Sequence, residues 1–247
     1  MIIGINGKIG SGKDTIGEII QFLTNKDPHT KVTTFLKGLS WSWGSDFEIK
    51  KFAGKLKTIA SIITGIPVEK FEDQEFKKVI LGEEWATVKP NPLNAIPVFE
   101  NVQFNALMSV RELLQKLGTE AMRDGLHTNV WVNALFADYT KRIIYYPLTE
   151  EQIEYNNKQT GPVPSVNEKL DYPNWIITDM RFENELEAVV NKGGITIKVV
   201  RPGTVVGNHP SEVALDGFIM HYEIINDGTM EELVEKVREI LIKEKLI

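Results

Sequence analysis

A glycine-rich segment near the amino terminus, Gly7-Lys8-Ile9-Gly10-Ser11-Gly12-Lys13-Asp14-Thr15, constrains this chain more than any other stretch. It follows a short apolar run, Met1 to Ile5, that reads as a strand. It precedes Thr15 to Leu23, where Ile16, Ile19, Ile20 and Leu23 recur at helical spacing. Strand, glycine turn and amphipathic helix in that order open the helix N-terminus over the turn. Glycine lets the backbone curl so that successive N–H groups converge on an anion, and the helix dipole favours negative charge at the same point. The segment reads as a phosphate-binding loop for a nucleoside triphosphate. Gly10, Ser11, Gly12, Lys13, Asp14 and Thr15 line it, and Lys13 reaches the β- and γ-phosphates. A dinucleotide turn fits less well, because Gly7, Gly10 and Gly12 lack the G-x-G-x-x-G spacing and a pyrophosphate-only site has no use for Lys13.

The loop departs from the usual pattern at one position. Where a Ser or Thr hydroxyl ordinarily binds Mg²⁺, this chain has Asp14, a negative charge beside an anionic ligand. Either Asp14 touches the metal directly or through water while Thr15 supplies a hydroxyl, or Asp14 caps the helix by accepting N–H bonds in its first turn. A mixed role is the favoured expectation.

With 247 residues and 42% hydrophobic content, the chain can bury a substantial core, and one α/β domain with insertions is the economical reading of residues 1–247. Lys plus Arg number 28 against 34 Asp plus Glu, a net charge of -6 that argues against a surface for nucleic acid. The absence of cysteine excludes disulfides, thiolate metal sites and cysteine nucleophiles, and four scattered histidines do not suggest a zinc site. No apolar stretch approaches membrane-spanning length, so a cytoplasmic protein is expected.

Alternating strand and helix signals organise the rest of the chain. Asn25 to Ser45 is loop-rich and holds Trp41 and Trp43, which read as core or lid packing. Phe47 to Phe52 reads as a strand and Ala53 to Ile63 as a helix. Ala86 to Asn105 and Tyr146 to Pro173 are proline-rich and read as inserted surface segments, either of which could close as a lid. Between them, Ser109-Val110-Arg111-Glu112 announces a helix with a capping box, and a second helix starts near Thr128 or Asn129 with Trp131, Val132, Leu135, Phe136 and Tyr139. Gly118 interrupts the first of these helices, which points to close approach of a base or sugar there. Asn174 to Thr178 reads as a buried parallel strand with Asp179 at its tip. A helix to Asn191, a strand from Ile195 to Val200, a strand from Tyr222 to Ile225 and a final helix capped by Thr229 complete a βαβ rhythm.

Ligands of parallel α/β sheets sit at the carboxyl ends of the strands, so the loop after the first strand, Asp179-Met180-Arg181 and Arg201-Pro202-Gly203 are expected to converge. Asp179 is placed to hold Mg²⁺ or its waters, with a helix cap as the alternative, and Arg181 to clamp a phosphate. Among Arg111, Arg123 and Arg142, Arg111 stands out. A cation in a helix's first turn opposes the dipole and gains nothing locally, which points to an anionic partner. His209 and His221 have ordinary polar roles, with no triad or metal site around them.

Together these residues resemble the deoxynucleoside monophosphate kinases of large tailed bacteriophages. The resemblance rests on the Gly-Lys-Asp-Thr loop, Phe52-Ala53-Gly54-Lys55-Leu56-Lys57, the string from Val110 to Glu120, Trp131-Val132, Phe136-Ala137-Asp138-Tyr139, Asp179-Met180-Arg181, Val199-Val200-Arg201-Pro202-Gly203 and Asn226-Asp227-Gly228. It implies a P-loop kinase fold, a central parallel sheet flanked by helices with lid and acceptor-binding insertions, and transfer of the γ-phosphate of ATP with Mg²⁺ to a deoxynucleoside 5′-monophosphate. By the resemblance, Lys13 and its loop bind ATP, and Lys55 and Arg111 serve the acceptor. Gly118, Thr119 and Trp131 serve the nucleoside, Asp179, Arg181 and Glu185 the acceptor or metal, and Arg201 and Pro202 flank the adenine. It also implies the host cytoplasm. A kinase of another phosphorylated metabolite, of the dephospho-coenzyme A or phosphomevalonate type, and a non-catalytic ATP-binding module remain open. So do the base preference and the oligomeric state, a homodimer included.

Overall fold

Five short strands, the central three mostly apolar and buried and the two edge strands mixed with charged residues, pair side by side in parallel: β1 (Ile2–Gly7), β2 (Phe47–Lys50), β7 (Asn174–Ile177), β8 (Ile195–Val200) and β9 (Tyr222–Ile225). In the computed structural model their order is β2-β7-β1-β8-β9. Residues 1–25, 45–90, 103–146, 148–159, 161, 162, 164, 166–204 and 213–247 are described. Register is fixed at the centre, where Ile3 lies opposite Ile176 on one side and Ile195 on the other. Ile2, Ile3, Ile5, Ile176 and Ile177 are fully buried, as a parallel sheet covered on both faces requires.

The helices α1 (Lys13–Leu23) and α7 (Met230–Lys243) cover one face. Ile16, Ile19 and Ile20 from α1 and Leu233, Val234, Val237 and Leu241 from α7 close over Ile3, Ile5, Ile197 and Val199. Side chains alternate across a strand, so Gly4 faces the other way, toward α6 (Glu183–Asn191). A Cβ there would lie 3.0 Å from Met180 Sδ and 3.3 Å from Val189, so the helix packs as close as glycine permits. Thr229 caps α7 with Glu232 returning the bond, as the sequence pattern predicts.

The chain forms two compact units, residues 1–51 with 135–247, which contain this sheet, and residues 52–134. The second unit has its own core of Ala60, Phe71, Leu81, Met108, Val110 and Leu113. It contains α2 (Ala53–Thr64), the antiparallel pair β3 (Thr87–Pro90) and β4 (Gln103–Ala106), and α3 (Val110–Gln115) with the predicted Ser109–Glu112 box. The helix α4 (Val130–Phe136) carries the chain out of it.

Three expectations change. The helix of Arg111 is not broken at Gly118 but continues as a π-helix over Lys116–Asp124. The close approach there belongs to a neighbouring helix rather than a nucleoside: a Cβ on Gly118 would lie 2.8 Å from Leu56 Cδ2 of α2. The Tyr146 to Pro173 insertion contains α5 (Glu150–Asn157) and β6 (Asn167–Asp171), and β6 pairs antiparallel with β5 (Arg142–Tyr146), which precedes it, with Ile143, Tyr145 and Leu170 exposed. Ala86 to Asn105 likewise begins and ends as a strand pair. Residues 26–44, with Trp41 and Trp43, residues 91–102 and His209 lie outside the described residues. Among those described, no helix is long and apolar enough to cross a membrane.

Candidate active site

Because all five strands run parallel, the segments leaving their carboxyl ends gather along one edge of the sheet. From β1 leaves the glycine loop, from β2 Lys51, from β7 Thr178 and Asp179, from β8 Arg201, and from β9 Asn226. Each of the four outer tips makes contact with the loop or its helix. Thr178 Oγ1 donates to Asp14 Oδ1 at 2.7 Å, Lys51 Nζ lies 3.1 Å from the same oxygen, Arg201 Nη1 donates to Gly10 O at 3.3 Å, and Asn226 Nδ2 donates to Ser11 O at 2.8 Å.

The loop has the geometry expected of a phosphate cradle. Gly10 and Gly12 take φ of 76° and 101°, a region that a side chain rarely tolerates. At Gly12 a Cβ would also meet Asn226 Nδ2 at 2.6 Å, and at Gly7 it would meet Ser11 Oγ and Val199 O, both at 2.6 Å. The first bond inside α1 runs from Ile16 N to Gly12 O, so the N–H groups of Gly12 to Thr15 fall outside the helical ladder. Lys13 folds over the loop, its Nζ donating to Gly7 O and Lys8 O at 2.7 Å each. An ammonium so held sits where phosphate charge would be collected. Ser11 is fully buried with its hydroxyl against Gly7, so this residue serves the loop through its main chain.

Asp14 is not the helix cap: that position is Gly12, which makes no side-chain cap bond. Its carboxylate turns instead toward Thr178 and Lys51. Burial alone would raise its pKa, but the Thr178 hydroxyl, Lys51 and Lys13 outweigh burial and hold it below the ordinary carboxylate value. It is therefore ionised at neutral pH. Its depressed pKa contributes stability that is present at neutral pH and is lost as the pH falls through the acidic range.

Asp179 and Arg181 leave β7 on a turn that two side chains hold. Asn6 Nδ2 donates to Met180 O at 2.9 Å, and the buried Glu185 accepts the N–H groups of Arg181 at 2.7 Å and Phe182 at 3.1 Å. Glu185 thus braces the turn and the start of α6. Arg201 and Pro202 are exposed at the β8 tip.

Residues 52–134 hold the other expected site residues. Arg111 is exposed in the first turn of α3, with Nη2 donating to Gln74 Oε1 at 3.3 Å, and Lys55 is exposed on α2. Lys57 is buried and paired with Glu72 at 2.6 Å. Thr119 lies half-buried in the π-helix beside Gly118. Trp131 is 6% exposed, and its Nε1 donates to Gly118 O at 2.8 Å. The indole is packed as a tie between α4 and the π-helix. Trp131→Phe, which keeps an aromatic ring but loses that donor, is expected to destabilise the protein by about 1–2 kcal/mol, read by denaturant titration. The ranking of acceptor bases is expected to stay unchanged. Arg142, weighed as a further phosphate clamp, pairs with Glu48. His221, as anticipated, has a polar structural role on Thr196.

Sequence reasoning missed Lys51, Thr178 and Asn226. The strand-tip rule finds all three once β2 ends at Lys50, whereas extending that strand to Phe52 hides Lys51 inside it. Asn226 read as part of a turn before the last helix and of the family motif Asn226-Asp227-Gly228, with no role at the loop. Asn226→Ala removes one neutral hydrogen bond under the loop, worth about 0.5–1.5 kcal/mol, so the Kd for ATP is expected to rise about two- to tenfold by direct titration.

A phosphate loop on a five-stranded parallel sheet with helices on both faces defines a P-loop α/β protein of the kinase type. The sequence pattern of the deoxynucleotide monophosphate kinase family matches residues 73–237. The chain belongs to that family. It is 30% identical over 137 residues to the deoxynucleotide monophosphate kinase of Enterobacteria phage T4, covering 54% of this chain and 45% of that protein. It is 28% identical over 138 residues to that of Escherichia phage RB69, covering 56% and 46%. With the deoxynucleoside-5′-monophosphate kinase of Escherichia phage T5 it shares 22% over 268 residues, 92% of this chain and 89% of the T5 protein. The match thus spans just under half the length of the T4 and RB69 proteins.

Proposed function

We propose that this protein transfers the γ-phosphate of ATP, with Mg²⁺, to a deoxynucleoside 5′-monophosphate, giving ADP and the deoxynucleoside diphosphate. The observation that carries the reading is the convergence of four strand tips on a glycine cradle over which Lys13 is already folded. Family membership supplies the acceptor class.

In this reading the N–H groups of the loop and Lys13 hold the β- and γ-phosphates, and Arg201 and Pro202 border the adenine. The oxygen donors at hand, the Thr15 hydroxyl and the Asp179 carboxylate, suit Mg²⁺, which prefers one or two carboxylates together with phosphate oxygens, while the Asp14 carboxylate is engaged by Thr178 and Lys51. When bound, that ion would neutralise charge on the phosphates. Lys55 and Arg111 take the acceptor phosphate and Thr119 borders the nucleoside, while Trp131, through its bond to Gly118 O, holds the π-helix that carries Thr119. An acceptor phosphate oxygen bonds to the γ-phosphorus while the bond to the β–γ bridging oxygen breaks, and the electron pair leaves with ADP. The reaction needs alignment and charge stabilisation more than covalent work. Lys13 and Arg181 meet the negative charge on the transferring group, and Glu185 positions Arg181.

The test is incubation with Mg·ATP and each of the thymidine, deoxyguanosine, deoxycytidine and deoxyadenosine monophosphates, with diphosphate followed by chromatography. At least one is expected to be converted. Conversion of none of them, with phosphorylation of dephospho-coenzyme A or phosphomevalonate instead, would overturn the acceptor assignment.

A further inference from the structure

The loop carries an ionised aspartate directly after its phosphate-binding lysine, and such a charge repels the ligand that the loop is shaped to hold. Three residues from three chain segments meet at that point. Asp14 Oδ1 receives the Thr178 hydroxyl at 2.7 Å and the Lys51 ammonium at 3.1 Å. Thr178 is 1% exposed at the tip of β7, so its hydroxyl is fixed in direction. Lys51 leaves the tip of β2, which neighbours β7 in the sheet with Lys50 opposite Ile177. The strand order therefore builds the pairing.

We propose that Lys51 is a positioning residue, which neutralises Asp14 while Thr178 turns its carboxylate aside, so that the cradle accepts a nucleotide triphosphate despite the aspartate. This rests on the reading of the loop as the ATP site, not on the identity of the acceptor. Lys51 then acts through Asp14, and the two charges are useful only together. Removing the lysine alone leaves the Asp14 carboxylate with the Thr178 hydroxyl and Lys13, the cation that the phosphates themselves require. Removing both charges removes the repulsion by Asp14 together with its counter-charge, leaving Glu18 one turn along the helix as the remaining carboxylate of the cluster.

The test compares ATP binding by calorimetry in the wild type, Lys51→Met, Lys51→Arg, Asp14→Asn and the Asp14→Asn/Lys51→Met double variant, with melting curves as a check on folding. Lys51→Met is expected to raise the Kd for ATP by about tenfold or more, Lys51→Arg to keep it near the wild-type value, and the double variant to return to within about threefold of wild type. A Lys51→Met variant that binds as the wild type does overturns the proposal. So does a double variant as weak as the single one, since Lys51 would then touch the nucleotide itself. ATP binding without transfer to any deoxynucleoside monophosphate would overturn the kinase assignment and leave this proposal standing; a wild type that binds no ATP overturns both.

Discussion

Lys13→Ala is expected to lower kcat by about 10²–10³-fold, the loss that follows removal of one positioned donor from charge that develops in a transition state. The fold should survive, because the Lys13 ammonium bonds loop carbonyls, Gly7 O and Lys8 O, while the apolar contacts of α1 come from Ile16, Ile19, Ile20 and Phe22 on its buried face. Two bonds of about 1 kcal/mol each correspond to a fall in melting temperature of roughly 4–8 °C in a chain of this size. Lys13→Met keeps most of the stem and removes the charge, so it separates packing from electrostatics. Both variants should lose turnover alike. A Lys13→Met enzyme with near-wild-type kcat would remove Lys13 from the chemistry, whatever its stability.

Much of this site was legible in the sequence because its parts obey local rules. Buried parallel strands read as near-continuous apolar runs, so Trp175-Ile176-Ile177 and Ile195 to Val200 were found with their tips, and Asp179 and Arg201 followed from the tips. Capping boxes at Ser109 and Thr229 are written in residues three apart, and both formed. What depends on strand order was not legible. Asp14, Lys51 and Thr178 are brought together only because β2 lies beside β7 and β7 beside β1, an order that no local pattern encodes. Gly118 gave a true signal of close approach, yet the partner is Leu56, some sixty residues earlier in the chain. Trp131 could be read as a base platform or as part of the apolar face of α4, and burial with its Nε1 on Gly118 O gives it the packing role. The β5–β6 pair was hidden because twenty polar and proline-rich residues separate two short strands whose exposed faces carry Ile143, Tyr145 and Leu170. Apolar residues on a solvated hairpin do not give the alternation that usually marks one.

Arg111→Ala is expected to reduce kcat/KM for every deoxynucleoside monophosphate by about ten- to hundredfold, since each charge-assisted bond to a phosphate is worth about 1.5–3 kcal/mol. The guanidinium is exposed, and its hydrogen bond to Gln74 at 3.3 Å is long, so the variant forfeits little of the fold. A cation in the first turn of α3 opposes the helix dipole, and its removal should leave the melting temperature unchanged or slightly higher. That combination separates a ligand-binding arginine from a structural one, because a structural arginine would lose stability and activity together. The Kd for ATP should stay at its wild-type value, since the triphosphate is assigned to the loop in residues 1–51. The loss should also be equal across the four bases, because a phosphate contact does not sense the base. The four values of kcat/KM, measured at saturating ATP, check both statements. A drop confined to one base would move Arg111 to the nucleoside, and a parallel rise in the Kd for ATP would move it to the donor.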